Sequence, residues 1–304
     1  MLKLLLSRLL QGILTLFVLV TLTFFLVRAM PGSPYVEEKA IPAHVLEKMK
    51  AYTGLDQPLP VQYARYLKNL IIHQDLGDLI RKDGVKVSEV IGDSFPVSLV
   101  LGLASMGIAL AIGIPAGVIA AVRKNSPTDF ACLAFAMLGI CLPSFVIGPL
   151  LAVGAGLSLK WLNVAGWSSP TDWILPAFTL GLINAAYLAR LSRGGMLEVL
   201  SADYIRTAKA KGVPGHKIIT RHALKGGLIP AVAFIGPAFA GMISGSFVIE
   251  TIFQIPGMGQ HFVNAANDRE FFLIQGLVLF YGFLIVAANL LADLAQIALN
   301  PRLR

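Results

Sequence analysis

Five histidines, two cysteines and seventeen acidic side chains are the groups in this chain able to ligate metals or to act as acids, bases or nucleophiles. They are not arranged for either task. His44, His73, His216, His222 and His261 show no close metal-ligand spacing, and no Gly-x-x-x-x-Gly-Lys-Ser/Thr phosphate loop occurs. No serine, cysteine or carboxylate sits in a nucleophile motif. Cys132 and Cys141 fall nine residues apart on one predicted helix. They point to opposite faces about 13 Å apart along the axis, too far for a disulfide, so core packing is the expected role of both. The sequence therefore offers no catalytic residue, no metal site and no cofactor site.

What it does concentrate is positive charge, in a polar insert running from Glu198 to Lys225. Ser201 or Asp203 is placed to act as N-cap, and Tyr204 to Lys211 contains no breaker. Gly212 ends the helix and Pro214 forbids its continuation. A second helical run, about 216–225, leads to Gly226-Gly227. The punctuation reads helix, sharp turn, helix. It fits a docking handle for a cytosolic partner, and equally a basic loop held by lipid head groups. Just before it, Leu191-Ser-Arg-Gly-Gly195 matches part of the signature sequence of ABC-type ATPases. With no phosphate loop, and at a predicted membrane-helix end, that match is a coincidence.

The elements that must position this insert are apolar. The chain is 56% hydrophobic and 14% charged, with a mean hydropathy of +0.73. Runs of 18 or more apolar residues are membrane-span candidates. Six occur, at about 9–27, 97–122, 130–159, 173–191, 228–252 and 271–299, so the expected fold is all-α with six transmembrane helices. The first run is too long for a cleaved signal peptide, is followed directly by Arg28 and lacks an Ala-x-Ala site; it reads as a retained anchor. Lys and Arg crowd the loops on one side, while the two short loops opposite hold only Lys160 and Arg269. By the positive-inside rule both termini and the polar insert face the cytoplasm. The net charge of +8 is this bias, and no nucleic-acid partner is read from it.

Three segments follow: 1–29 with the first span, an extracytoplasmic insert at 30–96, and a core at 97–304 that carries the polar loop 192–227. In the insert, one amphipathic helix is expected to start near Pro42. Another covers about 61–72, with Val61, Ala64, Leu67, Leu70 and Ile71 on one face. Prolines and glycines crowd the second to fifth spans. Proline in a membrane helix frees backbone groups that neighbours or cavity water must satisfy, which fits kinked helices lining a path. Ser144, Phe145, Gly236, Gly241, Ser244 and Gly245 are the candidate path residues, with Gly113 and Gly117 beside them; packing is the competing role for each. Few polar groups lie within the spans: Glu250, Asp293, Asn184 and Asn289. Asp293 is expected to pair with Arg190 or Arg193. With neither carboxylate near midplane, a proton-driven transporter is weakened but not excluded.

Asp203-Tyr-Ile-Arg-Thr-Ala-Lys-Ala-Lys-Gly212, Arg221-His-Ala-Leu-Lys225 and Leu228-Ile-Pro230 together resemble the EAA loop of binding-protein-dependent ABC permeases. The variant is that of the dipeptide/oligopeptide/nickel group. Pro31-Gly-Ser, Gly54-Leu-Asp-Gln-Pro, Ser94-Phe-Pro-Val-Ser98, Leu142-Pro-Ser-Phe145 and Glu250-Thr-Ile-Phe-Gln-Ile-Pro-Gly-Met-Gly259 extend the match over nearly the whole chain. It is similar to the B-type oligopeptide permease subunits in particular. Two positions depart from the general pattern: Arg206 stands where Glu is usual, and Lys225 where Pro is. Both are usual in the peptide-type group.

The resemblance implies a type I ABC importer permease fold in a bacterial inner membrane. It implies a homologous second permease subunit, two ATPase subunits and an extracytoplasmic binding protein. It makes Asp203, Tyr204, Arg206, Thr207, Ala208, Lys209, Ala210, Lys211, Gly212 and Pro214 a coupling helix seated in an ATPase groove, with Ala208 and Gly212 small so that the helix seats deeply. Mixed charge on the surfaces facing outside makes segments 31–96 and 253–270 the expected contact with that binding protein, Asp268, Arg269 and Glu270 forming rim ion pairs. Peptides are the implied substrate; relatives carry nickel, glutathione or oligosaccharides. An ion-coupled secondary transporter and a non-transporting membrane scaffold are the alternatives of other classes.

Overall fold

The structure, a computed structural model, describes residues 2–32, 34–35, 43–82, 84–244 and 246–299. Pro42, Gly245 and the C-terminal Arg302 and Arg304 lie outside these residues. In chain order the helices are α1 (Leu2–Ala29), α2 (Ala43–Thr53), α3 (Leu59–Lys68), α4 (Val87–Val122), α5 (Pro127–Cys141), α6 (Ser144–Leu151) and α7 (Ile174–Leu200). They continue with α8 (Asp203–Ala210), α9 (Gly215–Lys217), α10 (Leu224–Gly227), α11 (Ile229–Ser244), α12 (Phe247–Ile252), α13 (Met258–Asp268) and α14 (Phe271–Leu299). Wide i→i+5 turns extend α3 over Asn69–His73, α6 over Ala152–Ser158 and α9 over Ile218–Ala223. Among the described residues, extended pairing is limited to one bridge, Asp78 with Lys86.

Among the described residues, five helical stretches are long and apolar enough to cross a bilayer: Leu6–Ala29, Val87–Val122, Ile174–Leu200, Ile229–Ile252 and Phe271–Ala295. The third expected span is not straight. α5 and α6 meet at 105°, because Pro143 excludes helical backbone at the residue before it and Leu142 is extended (φ −87°, ψ 121°). Pro149 inside α6 then precedes the wide turns. The second span starts ten residues earlier than expected, α4 running through Pro96, as membrane helices can where neighbours re-satisfy the backbone.

Two compact units are present. The first comprises Ser98–Pro256 and Leu284–Arg304. Within it α5, α6, α10, α11 and α12 pack on α7. Lipid offers helices no hydrophobic reason to associate, so close van der Waals approach must do it, and glycine allows that approach. A Cβ on Gly113 would lie 2.5 Å from the Ala185 carbonyl oxygen, and one on Gly117 would strike that of Ala189. Gly181 faces the Ser105 carbonyl and Gly139 the Ala186 methyl in the same way. Met106, Ala109, Leu188, Ala231, Ala238 and Met242 fill the core between these contacts. Gly113 and Gly117 are thus packing contacts between α4 and α7. Cys132 is half-buried and Cys141 exposed, so core packing does not describe Cys141; it is the last residue of α5, ahead of the bend.

The loop before α7 in this unit is built on one carboxylate. Asp172 is buried and accepts from Asn163 Nδ2 (2.6 Å), the Ser168 and Ser169 amides (2.7 and 2.8 Å) and the Ser168 hydroxyl (3.2 Å). The Asn163 hydrogen bond, then the Ser169 amide, hold its pKa down to about 2 against the cost of burial.

The second unit comprises Leu2–Val97 and Gly257–Phe283. Val20, Phe24 and Tyr66 are buried together, with Tyr63, Leu67 and Leu70 against them. The Phe24 ring lies 5.1 Å from Tyr63 and 5.7 Å from Tyr66, and the Thr21 and Tyr63 hydroxyls share a 2.7 Å hydrogen bond. The buried face of α3 is therefore aromatic. Val61 and Ile71, expected on it, are exposed, because ring area outweighs aliphatic periodicity in choosing the face.

Two outcomes are expected. Gly117→Val should drive side-chain atoms into the α7 backbone and cost about 2 kcal/mol, lowering thermal stability in detergent by several degrees. Gly107→Val, where a Cβ meets nothing within 4 Å, should not. For Asp172, a depressed folded pKa means its contribution is complete above the unfolded value near 4 and lost as pH falls towards about 2. All three tryptophans, Trp161, Trp167 and Trp173, lie in or beside this loop. Their emission should hold steady from pH 7 to 5 and change between about pH 4 and 2. Asp172→Asn should abolish that transition.

Candidate functional site

After α7 the chain turns through Ser201-Ala202 into α8. The N-cap is Ala202, extended at ψ 150° and with no capping side chain. Neither sequence candidate caps. The Ser201 hydroxyl donates back to the Glu198 carbonyl at 2.7 Å, and Asp203 sits in the first turn, where a negative charge favours the helix N-terminus. The far end follows the expected punctuation. Gly212 is left-handed (φ 74°), its amide donates to Lys209 O at 3.0 Å, and the Val213 amide donates to Ala208 O at 3.1 Å. These are the two bonds of a Schellman end, and Pro214 follows.

The faces of α8 are distinct. Ile205 is fully buried and Ala208 half-buried; with Val213 they pack onto Ala121, Met196, Ile218 and Ala223. Asp203, Tyr204, Arg206, Thr207, Lys209, Ala210, Lys211, Gly212 and Pro214 are exposed. Ala208, half-buried, therefore has its own core as one neighbour. One turn apart, Ile205 and Ala208 share a side, so the small residue lets α8 seat on its own unit. The Arg206–Asp203 pair, 3.6 Å apart and largely exposed, contributes little.

α8 is anchored back to α7. The segment through α9 and α10 returns so that Gly195 of α7 faces the Gly227 carbonyl, with the Met196 sulfur over Gly227. One turn earlier, Arg193 forks onto Asp129, with Nε–Oδ1 at 2.6 Å and Nη2–Oδ2 at 2.8 Å. Asp129 is buried at the start of α5 and also accepts from the Asn125 amide at 2.9 Å. Ser126 caps α5 through the Asp129 amide. Of the two partners expected for Asp293, Arg190 and Arg193, the second is taken by Asp129, 64 residues away. The available signal was Ser126-Pro-Thr-Asp129, a capping pattern that places an acid at a helix start.

Of the path candidates, Ser144 and Phe145 open α6, half-exposed and exposed, and Gly241 is exposed with open space beside it. Ser244 is half-exposed and its hydroxyl donates to Ala240 O at 2.8 Å. Gly236 is buried against Ala292 and the Ala288 carbonyl; it is a packing contact. Gly245 lies outside the described residues. Glu250 is fully buried and accepts from the hydroxyls of Ser98 (2.9 Å) and Ser246 (2.5 Å).

In the second unit, Glu270 is not a rim residue. It is buried, and its carboxylate accepts the backbone amides of Ile80 and Arg81, both at 2.7 Å. Asp268 pairs with Arg81 at 3.0 Å, and Arg269, left-handed at φ 56°, donates to Pro31 O at 3.1 Å. The charge run staples its own unit. A run of like-looking charges in sequence does not distinguish the buried member.

Asp129→Asn should leave the Arg193 guanidinium half-buried without its counter-charge, at about 3 kcal/mol. Asp129→Asn combined with Arg193→Gln should recover a large part of that loss. Thermal unfolding in detergent reads both. Equal stability of the two variants would mean that the pair adds nothing as a pair.

Comparison with known proteins agrees with this geometry. Residues 113–304 match the family model described as binding-protein-dependent transport system inner membrane component. Residues 1–102 match the corresponding N-terminal model. The chain is 44% identical to the oligopeptide transport system permease protein OppB of Salmonella typhimurium, over all of both chains. It is 42% identical to the dipeptide transport system permease protein DppB of Bacillus subtilis, over 95% of this chain and 94% of that one. Among solved structures, the inward-facing MetNI methionine ABC transporter superposes with a TM-score of 0.58 at 16% identity, covering 70% of this chain and 97% of that one. An amino acid ABC transporter superposes at 0.54. The helical fold is that of type I ABC importer permeases, and the chain belongs to the family of inner-membrane components of binding-protein-dependent transport systems.

Proposed function

We propose that the chain forms half of the translocation pathway of an ATP-driven importer of di- and oligopeptides. The observation that carries this reading is α8. It is a short helix closed by a left-handed glycine, with one face bound to its own unit and the other, basic and bearing Tyr204, unspent. Such a helix is a lever. Pushing its exposed face moves Ile205 and Ala208, and with them Met196 and α7. The full-length likeness to oligopeptide and dipeptide permeases supports peptide as the cargo.

In this reading both termini and α8 face the cytoplasm of a bacterium, and α8 sits in a groove of one of two ATPase subunits that supply all ATP hydrolysis. A homologous permease completes the pathway. The core 97–304 with its loop 192–227 carries the path, in which Ser144, Phe145, Gly241, Ser244 and Gly245 are the lining candidates. An extracytoplasmic binding protein meets the segments 31–96 and 253–270, Asp268 and Arg269 offering the reachable charges and Glu270 holding the loop beneath.

Two measurements test the reading. Thr207→Trp adds bulk on the exposed face; it should leave expression and thermal stability intact while transport-coupled ATP hydrolysis in the assembled complex drops at least about tenfold, a loss of roughly 1.4 kcal/mol or more in coupling. Ala208→Trp should instead lower the stability of the chain. Full coupling in Thr207→Trp would show that this face does not dock. Purified alone in liposomes, the chain should not accumulate peptide under a proton gradient; accumulation would establish the ion-coupled alternative.

A further inference from the structure

The second unit has an open cavity of about 620 Å³ lined by, among others, Arg28, Lys48, Arg65, Tyr66, Asp75 and Asp78. Its volume is in the range of small-molecule sites. The arginine at its base is held in place but not spent. The Arg28 guanidinium lies 3.6 Å over the Phe24 ring. Its Nε donates to Gln62 Oε1 at 2.8 Å. That amide is itself fixed, because Gln62 Nε2 donates to the Leu55 and Gln57 carbonyls. Nη1 reaches only the Phe24 carbonyl, at 3.5 Å. Among the described residues, no carboxylate pairs with Arg28 and no acceptor meets Nη2. A half-buried cation with a fixed plane and an open edge is costly unless an anion completes it.

Arg65 supplies a second guanidinium to the same cavity. It crosses Gly54, whose φ is +69° and where a Cβ would collide with Arg65 Nη1. Glycine there serves both the left-handed turn and the approach of the cation. The phenols do not compete as anions. Burial pushes the Tyr66 hydroxyl up to about 12, with Arg28 opposing, and burial likewise raises Tyr35, so both stay protonated donors.

Position selects the anion. Arg28 is in the last turn of the span Leu6–Ala29, 24 residues long. That length rises about 36 Å, against a hydrocarbon core of about 30 Å, which places Arg28 at headgroup depth. On the same helix Leu22, Phe25 and Leu26 are exposed, as are Ile71 and Ile72 in the wide turn beside the cavity-lining Asn69. They form an apolar border for acyl chains. Guanidinium forks suit phosphate oxygens, and Asp75 and Asp78 in the same lining suit an ammonium.

We propose that this cavity is a phosphate site that holds the headgroup of a membrane phospholipid, with Arg28 and Arg65 on the phosphodiester and Asp75 and Asp78 facing the amine of an ethanolamine headgroup. The lipid completes the outer end of α1 and fixes α2 and α3 over it.

The test is native mass spectrometry of the full chain in mild detergent, titrated with short-chain phosphatidylethanolamine. The wild type should bind one lipid, and Arg28→Gln should weaken that binding about tenfold or more. Arg65→Gln, at an exposed side chain that does not threaten the fold, should weaken it severalfold, and so should Gly54→Ala. Arg28→Lys should retain part of it, and Arg81→Gln, outside the cavity, all of it. Lipid that stays bound in millimolar inorganic phosphate confirms a headgroup site. Displacement by inorganic phosphate in an Arg28-dependent manner keeps the phosphate chemistry but makes the ligand a soluble phosphate. Unchanged lipid binding in both Arg28→Gln and Arg65→Gln overturns the proposal.

Discussion

The first unit depends on how closely other backbones come to α7. In lipid, burying leucine against leucine gains little over leucine against acyl chain, so association rests on contact distance and on satisfied polar groups. α7 provides alanines and glycines at the contacts, and its neighbours bring glycines to meet them: Gly113 and Gly117 from α4, Gly139 from α5, Gly227 from α10. Each is a place where one methyl group would separate two helices. A bundle held this way is stiff across its contacts, since no long side chain lies between backbones to absorb a shift.

That stiffness gives α8 its meaning. A surface helix on a compliant support would dissipate a push locally. α8 instead rests through Ile205 and Ala208 on Met196, one turn from Arg193, whose fork to Asp129 carries the contact into α5. α5 then ends at the 105° bend before α6. The elements in series are an exposed basic face, a buried hydrophobic seat, a bidentate ion pair and a bend at proline. All four lie in one compact unit.

The sequence made some of this legible and concealed the rest for physical reasons. Spans and the ends of α8 are local properties: hydropathy over about twenty residues, and a glycine whose left-handed φ closes the helix ahead of Pro214. These were readable directly. The partner of Arg193 was not, because 64 residues separate the pair and a charge near a span end has several candidate counter-charges. Glu270 reads as surface charge beside Asp268 and Arg269, yet two backbone amides draw it inside. Gly113, Gly117 and Gly236 read equally as path-lining or packing positions, and only the neighbours show that they are contacts. Periodicity likewise ranked Val61 and Ile71 with Leu67, where the Tyr63 and Tyr66 rings decide which face of α3 is buried.

The buried charges divide by sign, and the division has a cause. Among the described residues, every buried carboxylate has donors within the protein: Asp129 an arginine fork and an amide, Asp172 amides, a hydroxyl and a side-chain amide, Glu250 two hydroxyls, Glu270 two amides. Backbone N–H groups and hydroxyls are available at any helix end or turn, so an acid can be satisfied locally. A cation has no equally common local solution. Carbonyls inside helices are already committed, and a guanidinium needs several acceptors in one plane. Arg193 finds its acceptors on Asp129. Arg28, at the end of α1, finds one side-chain oxygen and an aromatic face, and its remaining edge opens onto a cavity at the depth where bilayers carry phosphate. In the proposed site, a lipid phosphate supplies the acceptors in one plane that Arg28 lacks.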